Sequence, residues 1–178
     1  MKFTYQLPNY KASLNEIDVV DSTESVVGTL QRFGQNTFIE KVARHVSATF
    51  VSNVKVTVPG SHDIYTLQLN HQIKALVSTA EWTIKENGKT IGSIKEKGVG
   101  RTLFMDLMGE RVKAKAEIGS LREIKFFQMN GRKERLIAEG KRTLHVTRPM
   151  MTLSINQERT SIMPQLLAAL SFVHSNQV

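Results

Sequence analysis

The residues best equipped for chemistry in this chain are basic. In Arg111-Val-Lys-Ala-Lys115 the period of two sets Arg111, Lys113 and Lys115 on one face, roughly 7 Å apart along an extended strand. Arg132, Lys133 and Arg135 crowd the Asn130-Gly131 pair, and Lys141 and Arg142 follow at Gly140–Arg142, which is expected to be the next turn. Lys95-Glu-Lys-Gly-Val-Gly-Arg101 adds Lys95, Lys97 and Arg101 around glycines whose N–H groups can face an anion. It lacks the Gly-Lys-Ser/Thr ending of a nucleotide P-loop, and no helix pattern follows, so a hairpin loop is expected. Such a surface suits phosphate groups, whether of a membrane or of a nucleic-acid backbone. Rings are scarce nearby: only Phe126 and Phe127, of which at least one should be core. That argues against stacking of single-stranded bases and leaves binding by point charges.

Catalytic patterns are missing by comparison. His45, His62, His71, His145 and His174 show neither His-x-x-x-His nor His-Glu-x-x-His spacing. Ser61, His62 and Asp63 superficially supply a triad, but adjacent residues on one turn cannot hold a nucleophile, a base and its orienting group in line. A structural turn is the expectation there. The chain has no cysteine, which excludes disulfides, thiolate metal sites and cysteine nucleophiles. No metal site, cofactor or small-molecule substrate is expected, and no enzymatic activity.

The net charge of +8 is localised. Residues 1–84 carry 7 basic and 7 acidic side chains, whereas residues 85–148 carry 16 basic against 8 acidic, which is the whole excess. An asymmetry of this kind points to an anionic partner, with a solvated face that aids solubility as the plain alternative. At 178 residues and 40% hydrophobic content, one globular domain over 1–178 is expected. Met1–Tyr10 has no apolar run of the secretory kind, so the expected location is cytoplasmic, peripheral at a membrane when docked.

The elements that must position these residues read as strands. Turn signals recur at Asp21–Ser25, Gly34–Asn36, Ser52-Asn53, Pro59–His62, Asn70–Gln72, Asn87-Gly88, Gly98–Gly100, Gly109-Glu110, Gly119-Ser120, Asn130-Gly131, Gly140–Arg142 and Arg148-Pro149. The two Asn-Gly pairs tolerate the positive φ of a type I′ hairpin. Between turns, Val54/Val56/Val58, Tyr65/Leu67/Leu69, Val112/Ala114/Ala116/Ile118 and Met151/Leu153/Ile155 alternate with polar residues, the mark of strands with one buried face. Phe38 to Val51 is read as paired strands. Ile17–Leu30, Trp82–Ile94 and Phe126–Ala138 echo one another as strand, tight turn, strand.

One stretch is different. From Ser161 to His174 the chain reads as a helix, 162–174, with Ser161 as its cap and Pro164 in its first turn. Ile162, Met163, Leu166, Leu167, Leu170 and Val173 form a broad apolar face, and the far side (Gln165, Ala168, Ser171, Phe172) is hardly polar. A helix apolar nearly all round is buried on all sides. Its apolar run, Ile162 to Val173, spans roughly 18 Å, too little for a hydrocarbon core of about 30 Å. Many antiparallel strands around such a helix imply a closed barrel with the helix on its axis.

This plan resembles the tubby C-terminal superfamily, which includes the LURP-one-related proteins and the phospholipid scramblases. The Trp82–Ile94 hairpin (apolar-x-Ile-x-x-Asn-Gly-x-x-Ile-Gly-x-Ile), the Asp21 hairpin and the Met163-Pro-Gln-Leu-Leu-Ala-Ala-Leu170 helix carry the likeness. It implies a mainly β fold: a closed antiparallel barrel of about 12 strands around a buried C-terminal helix. It also implies phosphoinositide binding through basic side chains. The cysteine-rich and acidic calcium-binding segments of scramblases have no counterpart, since Leu153–Thr160 contains only Glu158 as an acid. The function expected is a non-enzymatic module for anionic phospholipid. A protein–protein or structural barrel is the alternative, and nucleic-acid binding the third.

Overall fold

The computed structural model describes residues 1–7, 15–34, 53–70, 79–97, 102–116, 123–143 and 149–177. The Phe38–Val51 strands, the Gly98–Arg101 loop with Arg101, Ile118, the Gly119-Ser120 turn, and His45, His71 and His145 lie outside these residues. In chain order the strands are β1 (Lys2–Gln6), β2 (Ile17–Asp21), β3 (Val26–Phe33), β4 (Asn53–Thr57), β5 (Ile64–Leu69) and β6 (Glu81–Glu86). They continue as β7 (Lys89–Lys97), β8 (Thr102–Leu107), β9 (Glu110–Ala116), β10 (Glu123–Asn130), β11 (Lys133–Thr143) and β12 (Met150–Ile155), and helix α1 (Pro164–Gln177) ends the chain's described part. Each strand pairs antiparallel with the next, and β1 pairs with β12, which closes a 12-strand barrel. Closure leaves none of the described strands with an open edge to recruit another chain.

Alternation decides which side chains face the lumen. Val54, Val56, Leu67, Leu69, Trp82, Ile84, Ile94, Leu103, Met105, Val112, Ala114, Phe126, Met151 and Leu153 all point inward and are buried. α1 threads this lumen, and every residue from Leu166 to His174 is buried. That explains a helix without a polar face. Phe172 meets Tyr5 edge-on at 6.3 Å, and the Arg32 guanidinium lies 4.9 Å from the Phe172 ring centroid. Burial lowers the Arg32 pKa to about 10, because a cation inside the barrel loses hydration. It raises that of the Tyr5 hydroxyl.

The helix starts later than its sequence suggests. Pro164 is its first residue, and Met163 accepts the first helical bonds, from Leu166 at 3.0 Å and Leu167 at 3.3 Å. Ser161 is not the cap; its hydroxyl donates to the Glu110 carboxylate, while Thr160 Oγ1 accepts from the Ile162 N–H at 3.1 Å. The segment is thus pinned to the β8–β9 hairpin before it turns into the lumen.

The three echoing hairpins share a real structural device. β2–β3, β6–β7 and β10–β11 each carry one bulge, leaving Val27, Ile91 and Ile137 without a partner across the ladder. Each bulged residue precedes a small one: Gly28, Gly92 or Ala138. At Gly92 the reason is contact, since a Cβ there would lie 2.3 Å from the Asp106 carbonyl oxygen. The Val27 carbonyl, displaced from the ladder, accepts from Gln165 Nε2 at 2.8 Å, which ties one bulge to the helix. Bulges add local twist, and three of them spaced four strands apart help a sheet of this width curl shut.

Two turn expectations need correction. Asn130 ends β10 opposite Lys133, so the turn is Gly131-Arg132, with positive φ at Gly131 alone (60°), as type II′ requires. Asn87 (φ 49°) and Gly88 (φ 83°) do form the type I′ pair. Gly140–Arg142 is no turn at all, because β11 runs unbroken through it. A Cβ on Gly140 would sit 2.6 Å from Ile124 Cγ2 and 3.6 Å from Ser171 Oγ, so the glycine lets strand and helix pack closely.

Candidate anion-binding face

The inward burial of Val112 and Ala114 turns Arg111, Lys113 and Lys115 outward from β9. Their surroundings differ. Arg111 Nε donates to Asp106 Oδ1 at 2.6 Å, with Nη2 to Oδ2 at 3.4 Å, and this contact raises the guanidinium pKa. Lys113 Nζ donates to Glu134 Oε1 at 2.7 Å. Lys115 is exposed, pairs with no carboxylate among the described residues, and stands directly across from Lys125 of β10.

The remaining basic residues divide between this face and other places. Lys95 reaches Glu81 at 3.7 Å and Lys141 reaches Glu123 at 3.2 Å, both pairs largely in solvent. Exposed pairs of this kind contribute little to stability. The Lys97 ammonium lies 5.5 Å from the centroid of the Phe104 ring. Arg132 and Lys133 are exposed at the tip of the β10–β11 hairpin. Arg135 does not join the face: it donates to Gln128 Oε1 at 2.5 Å and to the Arg159 carbonyl at 2.7 Å, bracing the rim. Nor does Arg142, which sits opposite buried Met151, on the inward side. The next described element after Lys97 is β8, a strand that pairs antiparallel with β7.

Sequence reading missed one component of this face. Lys95, Phe104, Lys113, Phe127 and Leu136 are successive cross-strand neighbours on β7, β8, β9, β10 and β11. Phe104 and Phe127 are both half-buried on the outside, while Phe126 is core. Phe126 meets the expectation that one of the two nearby rings is core, while Phe104 corrects the expectation that Phe126 and Phe127 are the only rings near these cations. Strict alternation in Thr102-Leu-Phe-Met-Asp-Leu107 held the signal: Leu103, Met105 and Leu107 point in, so Phe104 points out.

The Ser61–Asp63 turn is built for structure. The Ser61 hydroxyl donates to Asp63 Oδ2 at 2.8 Å and accepts from the Asp63 N–H at 3.0 Å, so its oxygen is already engaged. Asn87 Nδ2 donates to Asp63 Oδ1 at 2.9 Å, and Asn87 Oδ1 accepts from the Ile64 N–H at 2.9 Å. These bonds join the β4–β5 turn to the β6–β7 turn and hold the Asp63 carboxyl below its usual pKa. Asp63→Ala is expected to lower the melting temperature, whereas His62→Ala should leave it unchanged. An equal loss from both variants would contradict this division of labour.

The chain matches no curated protein and no solved structure. The family model described as Tubby C-terminal like domain matches residues 3–176, which run from within β1 to the last turn of the helix. With its closed 12-strand barrel around a C-terminal helix, this chain belongs to the tubby C-terminal-like family.

Proposed function

We propose that this domain is a non-enzymatic module that docks on anionic, phosphoinositide-like phospholipid surfaces through the outer face of β7–β11. The observation that carries this reading is Lys115, an exposed cation without a carboxylate partner among the described residues, set across from Lys125. An exposed ammonium of this kind can donate charge-assisted hydrogen bonds to a phosphate group. Membership in a family known for membrane, phosphoinositide and protein binding supports the same reading. The domain would then act peripherally, at a cytoplasmic membrane surface.

A protein-binding or structural barrel is the second reading. The ion pairs of Lys95, Arg111, Lys113 and Lys141 favour it, because interspersed opposite charges are what a solubilising surface carries. Co-sedimentation with phosphatidylcholine vesicles, with and without phosphatidylserine or phosphoinositide, separates the two. Binding should require the anionic lipid and weaken between low and physiological salt, where the Debye length shrinks to about 8 Å. Absence of binding to anionic vesicles at low salt would leave the second reading standing.

A further inference from the structure

We infer that the docking face is not purely electrostatic, and that Phe104 and Phe127 enter the headgroup–acyl boundary of the bilayer while the lysines around them stay at phosphate level. This rests on the phospholipid reading above. Phe104 and Phe127 occupy alternate strands, roughly 10 Å apart at about 4.8 Å per strand. Between them lies Lys113, whose side chain is only 20% exposed and whose ammonium is drawn aside to Glu134. Its aliphatic stem occupies the row between the two rings, and half-buried Leu136 extends the strip beyond Phe127. The result is a narrow apolar band across four strands, with Lys95 and Lys97 at one end and Lys115 one residue pair along β9.

Charge at the rim with rings and an aliphatic chain in the centre matches the layering of an anionic bilayer. The same band fits single-stranded nucleic acid less well. Base stacking needs an open ring face, yet the Lys97 ammonium already lies over Phe104, and Leu136 offers no ring. The lipid surface is therefore the occupant that the geometry favours.

Phe127→Trp turns the band into its own depth gauge. The native Trp82 is fully buried in the lumen and serves as an internal control. On phosphatidylcholine–phosphatidylserine vesicles with brominated acyl chains, the Phe127→Trp chain should show a blue shift and quenching that the parent chain lacks. The Phe104→Ser/Phe127→Ser chain should bind such vesicles about thirtyfold more weakly, from loss of the exposed halves of two rings, and should lose all salt-resistant binding. Vesicle binding without quenching, and with unchanged affinity in the serine chain, would overturn ring insertion and leave phospholipid docking intact. Failure to bind vesicles, with tryptophan quenching by oligo-dT instead, would overturn both and reassign the face to single-stranded nucleic acid.

Discussion

Lys97→Glu/Lys115→Glu should reduce binding to phosphatidylserine vesicles by two to three orders of magnitude while leaving the melting temperature nearly unchanged. Each reversal removes a cation and installs an anion, and charges near an anionic membrane contribute about 1 kcal/mol each, with about 1.4 kcal/mol per tenfold. Neither lysine pairs with a carboxylate among the described residues, so folding loses little. Reversing Arg111 and Lys113 makes the informative contrast. Those charges face Asp106 and Glu134, and glutamate there sets carboxylate against carboxylate. That pair of reversals should lower the melting temperature as well as the affinity. Parent-like vesicle binding by the Lys97/Lys115 variant would refute the docking face.

The largest stability effects are expected in the helix. Leu167 and Leu170 are fully buried among inward strand residues, and truncating either to alanine should cost about 2–5 kcal/mol. At about 2–4 °C per kcal/mol for a chain of this size, thermal denaturation should shift by roughly 4–20 °C. Removing the helix altogether exposes the whole inner face of the barrel, and the remainder should be insoluble or molten, with strong binding of hydrophobic dye. A chain cut before Pro164 that stays monomeric and melts like the parent would show that the lumen does not need its plug.

Much of this architecture is legible in the amino-acid sequence because period two leaves little choice. Tyr65, Leu67 and Leu69 cannot face solvent together, and Leu166, Leu167, Leu170 and Phe172 cannot lie on a surface helix. What escapes is set by contacts distant in the chain. Gly140 looks like a turn residue until Ile124 and Ser171 are seen to crowd it. Ser161 looks like a cap until Glu110 claims its hydroxyl. The basic cluster at 132–135 is the clearest case. The bulge at Ile137 flips the facing of the residues before it, so Glu134 comes out to meet Lys113 and Arg135 turns toward the rim. One unpaired residue thus decides which charges a partner can see. No local pattern announces it.

The seam between β1 and β12 has a kinetic meaning. Lys2 lies opposite Ser154, so the pair that closes the barrel joins residues about as distant as this chain permits. During synthesis β1 must wait for β12 to leave the ribosome, and the helix that fills the lumen comes later still. Hairpins can form as they emerge, yet they present open backbone and an apolar inner face to the crowded surroundings of a nascent chain. Such a topology folds slowly, with loop closure delayed to the end. Cellular yield should consequently be governed by how well the emerging strands are shielded, for example by a holding chaperone, more than by the equilibrium stability of the finished barrel.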